Sequence, residues 1–375
     1  MKKIASITWI TYPNFGTFLQ AYALQQYIVS VGYEDAILDD STIIETPVSW
    51  KYTIKKMLWR LDKGYRRFVN NQKKSKELYE SFKRNHLIID KNIEDPLKLD
   101  ARYDCYVCGS DQIWNPFSLA NPKSGFFYAD FTKQKKIAYA PSIGISKMPD
   151  EYRDRFKSLI KDFSFLSARE PQGQQIMEEL SGKFVANVAD PTLLLDKTRW
   201  EMLLPKQEGV KDKYILGYFL TSNPIYIEAA RKYAHSHGYK FKMFYTDKTY
   251  YNEADEVITA GPIEFLEAIH NAEYLFTDSF HGSIFASIFN VQFITFKRFK
   301  KSVTSQNSRV ENLLKIMKIE ERLLSENEVS LIDSLEKIDF EKVWKNLTPF
   351  IKESKEYLNN ALKSLLSNKK GQFDL

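Results

Sequence analysis

The chain has 375 residues, 43% apolar and 27% charged, with a formal net charge of +6. That length suits two domains better than one, and the composition is that of a globular protein, not a disordered or fibrous chain. No stretch approaches the ~18 uninterrupted apolar residues of a membrane span, and the two cysteines, Cys105 and Cys108, are too few for a disulfide framework.

Two lysines and a short alternating run open the chain. Lys3 to Ile10 is predicted as a first strand, not a signal peptide, which predicts a cytoplasmic protein. Thr11-Tyr12-Pro13-Asn14-Phe15-Gly16 reads as a loop and Thr17 to Val31 as a helix ending at Gly32; Tyr33 to Asp40 is the next strand. This unit lacks the G-x-G-x-x-G of a dinucleotide site, but Asn14 and Gly16 offer a side-chain amide and backbone amides to a ligand.

From about 50 to 95 the character changes. Between Lys51 and Arg84 there are 12 Lys and Arg against 3 Asp and Glu, a local +9 in a chain of +6. Trp50, Tyr52, Trp59, Tyr65 and Phe68 are interleaved with these charges. The segment reads as a basic helical insertion. An anionic membrane surface suits it, as does nucleic acid; the plain alternative is a solvated hairpin. Of these, a reversible membrane contact on the inner face is the expectation carried forward, with no nucleic-acid partner.

Arg102 to Trp114, RYDCYVCGSDQIW, is a strand that breaks at Gly109 and Ser110 and presents Asp111 and Gln112 at its C-terminal end. Residues three apart on a strand face opposite ways, so Cys105 and Cys108 read as core residues, not a dithiol or half a zinc site. Phe126 to Phe131 and Lys136 to Gly144 are predicted strand-turn segments, and Asp150 to Lys161 a helix. FSFLSARE (163–170) is a short strand ending in Arg169-Glu170. Asp190-Pro191 marks another turn, and Pro205 to Lys213 a linker.

A second alternating β/α set begins at Tyr214. Its centre is AEYLFTDSFHGSIFASIFN (272–290), a buried strand, a tight turn and an apolar helix. Asp278, Ser279 and His281 fall at the strand's C-terminal edge, where open α/β sheets bind ligands. Gly282 permits close backbone approach, and the helix start at Gly282-Ser283 favours an anion. Phe340 to Leu366 has helical periodicity. The organisation expected is a first domain over 1–204 carrying the insertion, a second over 214–335, and a helical tail over 336–375.

Seven pieces in one order, NFGTFLQAYAL (14–24), YDCYVCGSDQIWN (103–115), KIAYAPSIG (136–144), LSARE (166–170), VADPTLLL (188–195), TDSFHGSIFASIF (277–289) and NSRVENLL (307–314), together resemble the polysaccharide pyruvyl transferase family. The resemblance covers roughly residues 3 to 315. It implies an α/β fold of two Rossmann-like domains facing across a GT-B-like cleft. It also implies transfer of pyruvate from phosphoenolpyruvate, a donor substrate with no further cofactor, to a sugar or lipid-linked oligosaccharide as a ketal.

That chemistry needs cations and oriented amides for the donor, and a group able to move protons. His281 with Asp278 suits the catalytic role. Arg169, Ser279, Gly282, Ser283 and Arg309 suit the donor. Asn14, Gly16, Ser110, Asp111 and Gln112 suit the acceptor. No metal site is expected. Family members often carry Arg two residues before the histidine. Ser279 stands there, leaving Lys297, Arg298, Lys300 or Lys301 to supply that cation. A nucleotide-sugar glycosyltransferase and a non-catalytic glycan-binding relative are the alternative readings.

Overall fold

The computed structural model describes residues 1–43, 63–206, 213–247, 250, 252–298 and 307–366. The insertion's first part, with Lys51, Lys55, Lys56, Trp50 and Trp59, lies outside the described residues, as do Lys300 and Lys301.

The first half is built on β1 (Lys3–Ile7), β2 (Glu34–Leu38), β3 (Ile89–Asp90), β4 (Cys105–Cys108) and β5 (Lys136–Ala138). All pair in parallel, in the order β3-β2-β1-β4-β5. A second parallel pair, β6 (Leu166–Ala168) and β7 (Val185–Asn187), continues this layer through a bridge from Ile137 to Phe165. The second half holds β8 (Tyr214–Tyr218), β9 (Lys240–Phe244), β10 (Glu256–Ile258), β11 (Tyr274–Thr277), β12 (Gln292–Phe296) and β13 (Leu323–Leu324). Their order is β10-β9-β8-β11-β12-β13, again parallel throughout. Each order reverses direction beside its first strand. That leaves a crevice beyond β1 and β4 in one sheet and beyond β8 and β11 in the other.

In chain order the helices are α1 (Phe15–Ser30), α2 (Lys63–His86), α3 (Pro96–Arg102), α4 (Asp150–Ile160), α5 (Pro171–Ser181), α6 (Lys197–Glu201), α7 (Pro224–Ser236), α8 (Pro262–His270), α9 (Phe280–Phe289), α10 (Ser308–Met317) and α11 (Phe340–Leu366). Short polar side chains start several of them, as helix N-termini require. Asn14 Oδ1 accepts from Thr17 N–H, and Ser279 Oγ from Gly282 N–H. α9 ends at Asn290 in the left-handed region, with φ 57°.

α2 is the described part of the basic insertion, and it reaches across to the second half. Ser75 Oγ donates to Ala260 O at 2.6 Å and Phe68 meets Tyr245 edge-on, while Tyr79 stacks on Phe15 of the first half. A Cβ at Gly261 would lie 2.5 Å from Leu78 Cβ, so a side chain there would push the helix away. α11 makes the return crossing. Trp344 Nε1 donates to Asn290 Oδ1 and Asn346 to Met317 O in the second half. Leu358, Ala361 and Leu362 pack with Ile4, Leu24 and Val107 in the first.

Cys105 and Cys108 are both buried and unpaired, on opposite faces of the first sheet, as strand geometry requires. Burial raises the Cys105 thiol to about 12. The segment expected to be strand and turn from Phe126 instead closes a 3-10 helix, Pro122–Tyr128. Asn121 caps it, Pro122 presets its first turn, Tyr128 stacks on Trp114 at 4.9 Å, and Trp114 Nε1 donates to Phe127 O. Packing on a central indole overrides the strand propensity of adjacent aromatics. Among the described residues no helix is long and apolar enough to cross a membrane.

Candidate active site

The crevices of the two sheets face each other and form one cleft of about 350 Å³. Trp9, Tyr12 and Asn14 come from the loop after β1, Thr17 from the start of α1, and Asp111 and Gln112 from the turn after β4. The second half supplies Leu220, the run Asp278 to His281, Arg298, Asn307 and Arg309. His281, Asp278, Ser279, Arg309, Asn14, Asp111 and Gln112 are thus all brought together, from segments up to 295 residues apart (309 − 14).

His281 is 7% exposed, at the join of the halves. Its Nε2 lies 3.4 Å from Asp190 Oδ2, an ion-pair distance when the ring is protonated. On the other side the ring fills the space beside Gly16, where a Cβ would come within 2.0 Å of Nδ1. Gly16 therefore acts by making room, beyond any amide it offers.

Behind His281 lies a buried charge cluster. Arg169, with a side chain 1% exposed, donates to Asp190 at 2.5 Å and to Asp111 at 3.3 Å, and its guanidinium lies 4.8 Å from the Phe280 ring. Asp190 also accepts from Thr192 N–H and Oγ1, and Asp111 from Thr17 Oγ1 at 2.5 Å. Burial alone would raise Asp190, but His281, Arg169 and Thr192 outweigh it and hold the carboxyl well below the usual range. Asp111 is likewise lowered against its burial by Arg169, His281, Thr17 and Arg309. Arg169 is raised, because the two carboxylates overcome its desolvation.

Arg309 is different. Burial, then repulsion by Arg169, lowers it to about 10. An anion bound in the cleft would offset both effects by favouring the charged guanidinium. Arg298 lies on the same wall. Of the cations considered as substitutes near Ser279, Lys297 is outside the cleft lining and Arg298 within it.

Asp278 is bound into the second half. It accepts from Leu220 N–H at 2.6 Å, Thr221 N–H at 2.9 Å and the Thr221 hydroxyl. Burial raises its pKa against those bonds. Its carboxylate thereby fixes the turn after β8 against the turn carrying His281. Gly282, Ser283 and Ser110 stand behind the cleft wall. A Cβ at Gly282 would lie 2.7 Å from Thr277 Oγ1, so its close approach is to the sheet. Ser283 Oγ is 2.7 Å from Thr295 Oγ1, and Ser110 Oγ donates to Ala140 O.

Two residues of the site carry little sequence signal. Asp190 reads as a turn aspartate before proline, and its link to His281 spans 91 residues (281 − 190). Trp9 reads as the end of a strand, yet lines the cleft. The available signal was two polar-edged aromatics, Trp9 and Tyr12, close together at the end of the first strand.

A family model described as polysaccharide pyruvyl transferase matches residues 14–298. No curated protein matches in sequence. Similar solved structures include S. aureus MnaA with UDP, 13% identical over 100% of each chain with a TM-score of 0.55. Another is a protein assigned as UDP-N-acetylglucosamine 2-epimerase from Listeria monocytogenes, 11% identical over 100% of each chain, TM-score 0.55. A further UDP-N-acetylglucosamine 2-epimerase is 9% identical over 100% of this chain and 99% of its own, TM-score 0.53. At such identities the likeness is one of fold: two parallel α/β sheets in a GT-B-like arrangement.

Proposed function

The chain belongs to the polysaccharide pyruvyl transferase family, and on that premise we propose that it transfers pyruvate from phosphoenolpyruvate to a sugar of a surface-glycan precursor as a cyclic ketal. The observation that carries this reading is the gathering of Arg298, Arg309 and His281 in one cleft at the N-terminus of α9. Phosphoenolpyruvate brings a phosphate and a carboxylate. Arg309 and Arg298 offer forked donors to such groups. The first-turn N–H groups of Phe280 and His281 and the positive end of α9 favour an anion there too.

In the reaction the methylene carbon gains a proton, one sugar hydroxyl adds to the enol carbon, and a second displaces inorganic phosphate. Both hydroxyl protons leave; one balances the new methyl group and the other departs with the phosphate. His281 is the group placed to move a proton. In its protonated state the imidazolium faces Asp190, whose carboxylate is held ionised by Arg169. Asp278 positions the turn, and Asp111, Gln112 and Asn14 stand on the opposite wall for sugar hydroxyls.

The test is a thermal-shift series with phosphoenolpyruvate, inorganic phosphate and UDP-sugars. A ligand at ~100 times its dissociation constant adds about 2.7 kcal/mol of stability. A shift with phosphoenolpyruvate that Arg309→Ala removes supports the reading. A shift with a UDP-sugar alone overturns it in favour of glycosyl transfer.

A further inference from the structure

Beside the cationic cleft lies a second one, of about 580 Å³, whose lining includes Trp9, Ile43, Phe117, Asn121 and Phe127. The two clefts share Trp9, Tyr12 and Gln112 as a common wall. We propose that the acceptor glycan runs from the reaction site into this aromatic cleft, with a sugar ring stacked on Trp9 and its hydroxyls read by Gln112. This rests on the pyruvyl-transfer reading, because it takes the cationic cleft as the place of reaction.

Three observations carry it. First, among the described residues the cleft's lining contains no Lys, Arg or His, unlike the cationic cleft beside it, which does not suit it to the anionic donor. Second, it keeps aromatic faces open to solvent: Tyr12 is 59% exposed and Phe117 49%. Trp9 is half-buried and meets Phe127 with the two ring planes perpendicular, at 6.2 Å and 88°. Phe117 is held in a short 3-10 turn where Asn115 Oδ1 accepts its N–H. Rings exposed on a fixed wall match the C–H face of a pyranose.

Third, Gln112 Nε2 is buried beside Gly144 and has no hydrogen-bond partner among the described residues. Such a group is destabilising unless something supplies an acceptor. The Gln112 side chain stands at the junction of the clefts, and a turn of its amide away from Gly144 would bring Nε2 to a sugar hydroxyl or ring oxygen there. Rings together with a planar amide recognise a neutral glycan. A lipid chain would use the rings and leave the amide unmet. An acceptor entering here carries at least one more ring beyond the sugar that reacts.

The experiment compares methyl with p-nitrophenyl glycosides of glucose, galactose, mannose and N-acetylglucosamine, by calorimetry and saturation-transfer NMR. The aromatic aglycone stands in for the second ring. The wild type is expected to bind at least one p-nitrophenyl glycoside about tenfold more tightly than its methyl partner. Phe117→Ala should bring that ratio to about one while keeping the thermal shift with phosphoenolpyruvate. Trp9→Ala should weaken both glycosides. Absence of glycoside binding, or binding indifferent to Trp9 and Phe117, overturns the proposal. So does equal, Phe117-dependent binding of octanol, which makes the cleft a lipid site. If glycosides bind as expected but phosphoenolpyruvate gives no shift in the wild type, the donor reading fails and the glycan cleft stands.

Discussion

Gly16 leaves the space that His281 occupies: a Cβ on Gly16 would lie 2.0 Å from the imidazole Nδ1 and 2.3 Å from Cγ. One residue begins α1 in the first half and the other begins α9 in the second, so the fit couples the halves at the reacting group. Gly16→Ala should therefore displace the ring. We expect turnover to fall about a hundredfold, as for loss of an acid-base group, with about 1–3 kcal/mol of overpacking. Kinetics and thermal melts on the same preparation check this. A variant that keeps wild-type turnover would show that the ring's position is not what matters.

Arg169 is buried and Arg309 half-buried, and they stand in different company. Arg169 has two carboxylates, so Arg169→Ala leaves Asp111 and Asp190 buried without their cation and should lose about 3–5 kcal/mol of stability. Arg309, lowered to about 10 by burial and Arg169, should behave in the opposite way. Arg309→Ala should weaken phosphoenolpyruvate affinity while leaving the melting temperature near that of the wild type. Denaturant curves and donor titrations on both variants separate the two roles. If Arg169→Ala is as stable as the wild type, the buried pairs do not hold this region.

Asp190 lies 3.4 Å from His281, and its expected role is to position the ring. Asp190→Asn keeps much of the shape and removes the charge. It should lower turnover by about tenfold to a hundredfold while leaving donor affinity nearly unchanged, a split that separates positioning from binding. A double-mutant cycle with His281→Ala should be strongly non-additive. Additive losses would mean that the two residues act independently.

Most cleft residues that were legible in the sequence share one property: Asn14, Asp111, Gln112, Asp278, Ser279 and His281 each follow the C-terminal end of a strand, while Arg309 begins a helix. Once a chain alternates β and α, parallel topology sends those ends to one edge. What was not legible is which way a side chain in such a turn points. Ser110 and Ser283 sit in the same turns as Asp111 and His281, yet bond into the interior. Nor does local spacing reveal pairs between halves, such as Asp190 with His281. In α2 the inward residues Phe68, Ser75, Tyr79 and Phe82 are spaced at multiples of a helical turn, but lysines and arginines between them hide the pattern.

Asp35, fully buried on β2, accepts from Ser6 Oγ at 2.9 Å and is raised by burial to about 7. Unfolded, an aspartate titrates near 3.9. Between those values the folded chain binds the extra proton, so this group's contribution is full below about 4 and is lost as pH rises to about 7. Asp190 and Asp111 work the other way, and their contribution is lost only as pH falls below the usual carboxylate range. Asp35→Asn imitates the protonated form. It should raise the melting temperature at pH 8 and change it little at pH 4.5. An equal effect at both values would show that Asp35 does not titrate on folding.

The outer face of α2 leads to the last expectation. While its inner face packs on the second half, Arg66, Arg67, Lys73, Lys74 and Lys76 are exposed along the outer side. Each basic residue near an anionic lipid surface contributes about 1 kcal/mol, and the attraction fades within a Debye length. The chain should therefore sediment with vesicles containing phosphatidylglycerol at low salt and leave them at high salt, without a spanning helix. Changing those five residues to Gln should abolish sedimentation and leave the melting temperature unchanged, since none of them faces the packed side. Retention on neutral phosphatidylcholine vesicles, or retention by the five-fold variant, would return this face to an ordinary solvated one. A basic face turned to the membrane would hold the enzyme where a lipid-linked glycan is presented, a reason for charge to be concentrated on this helix instead of spread over the surface.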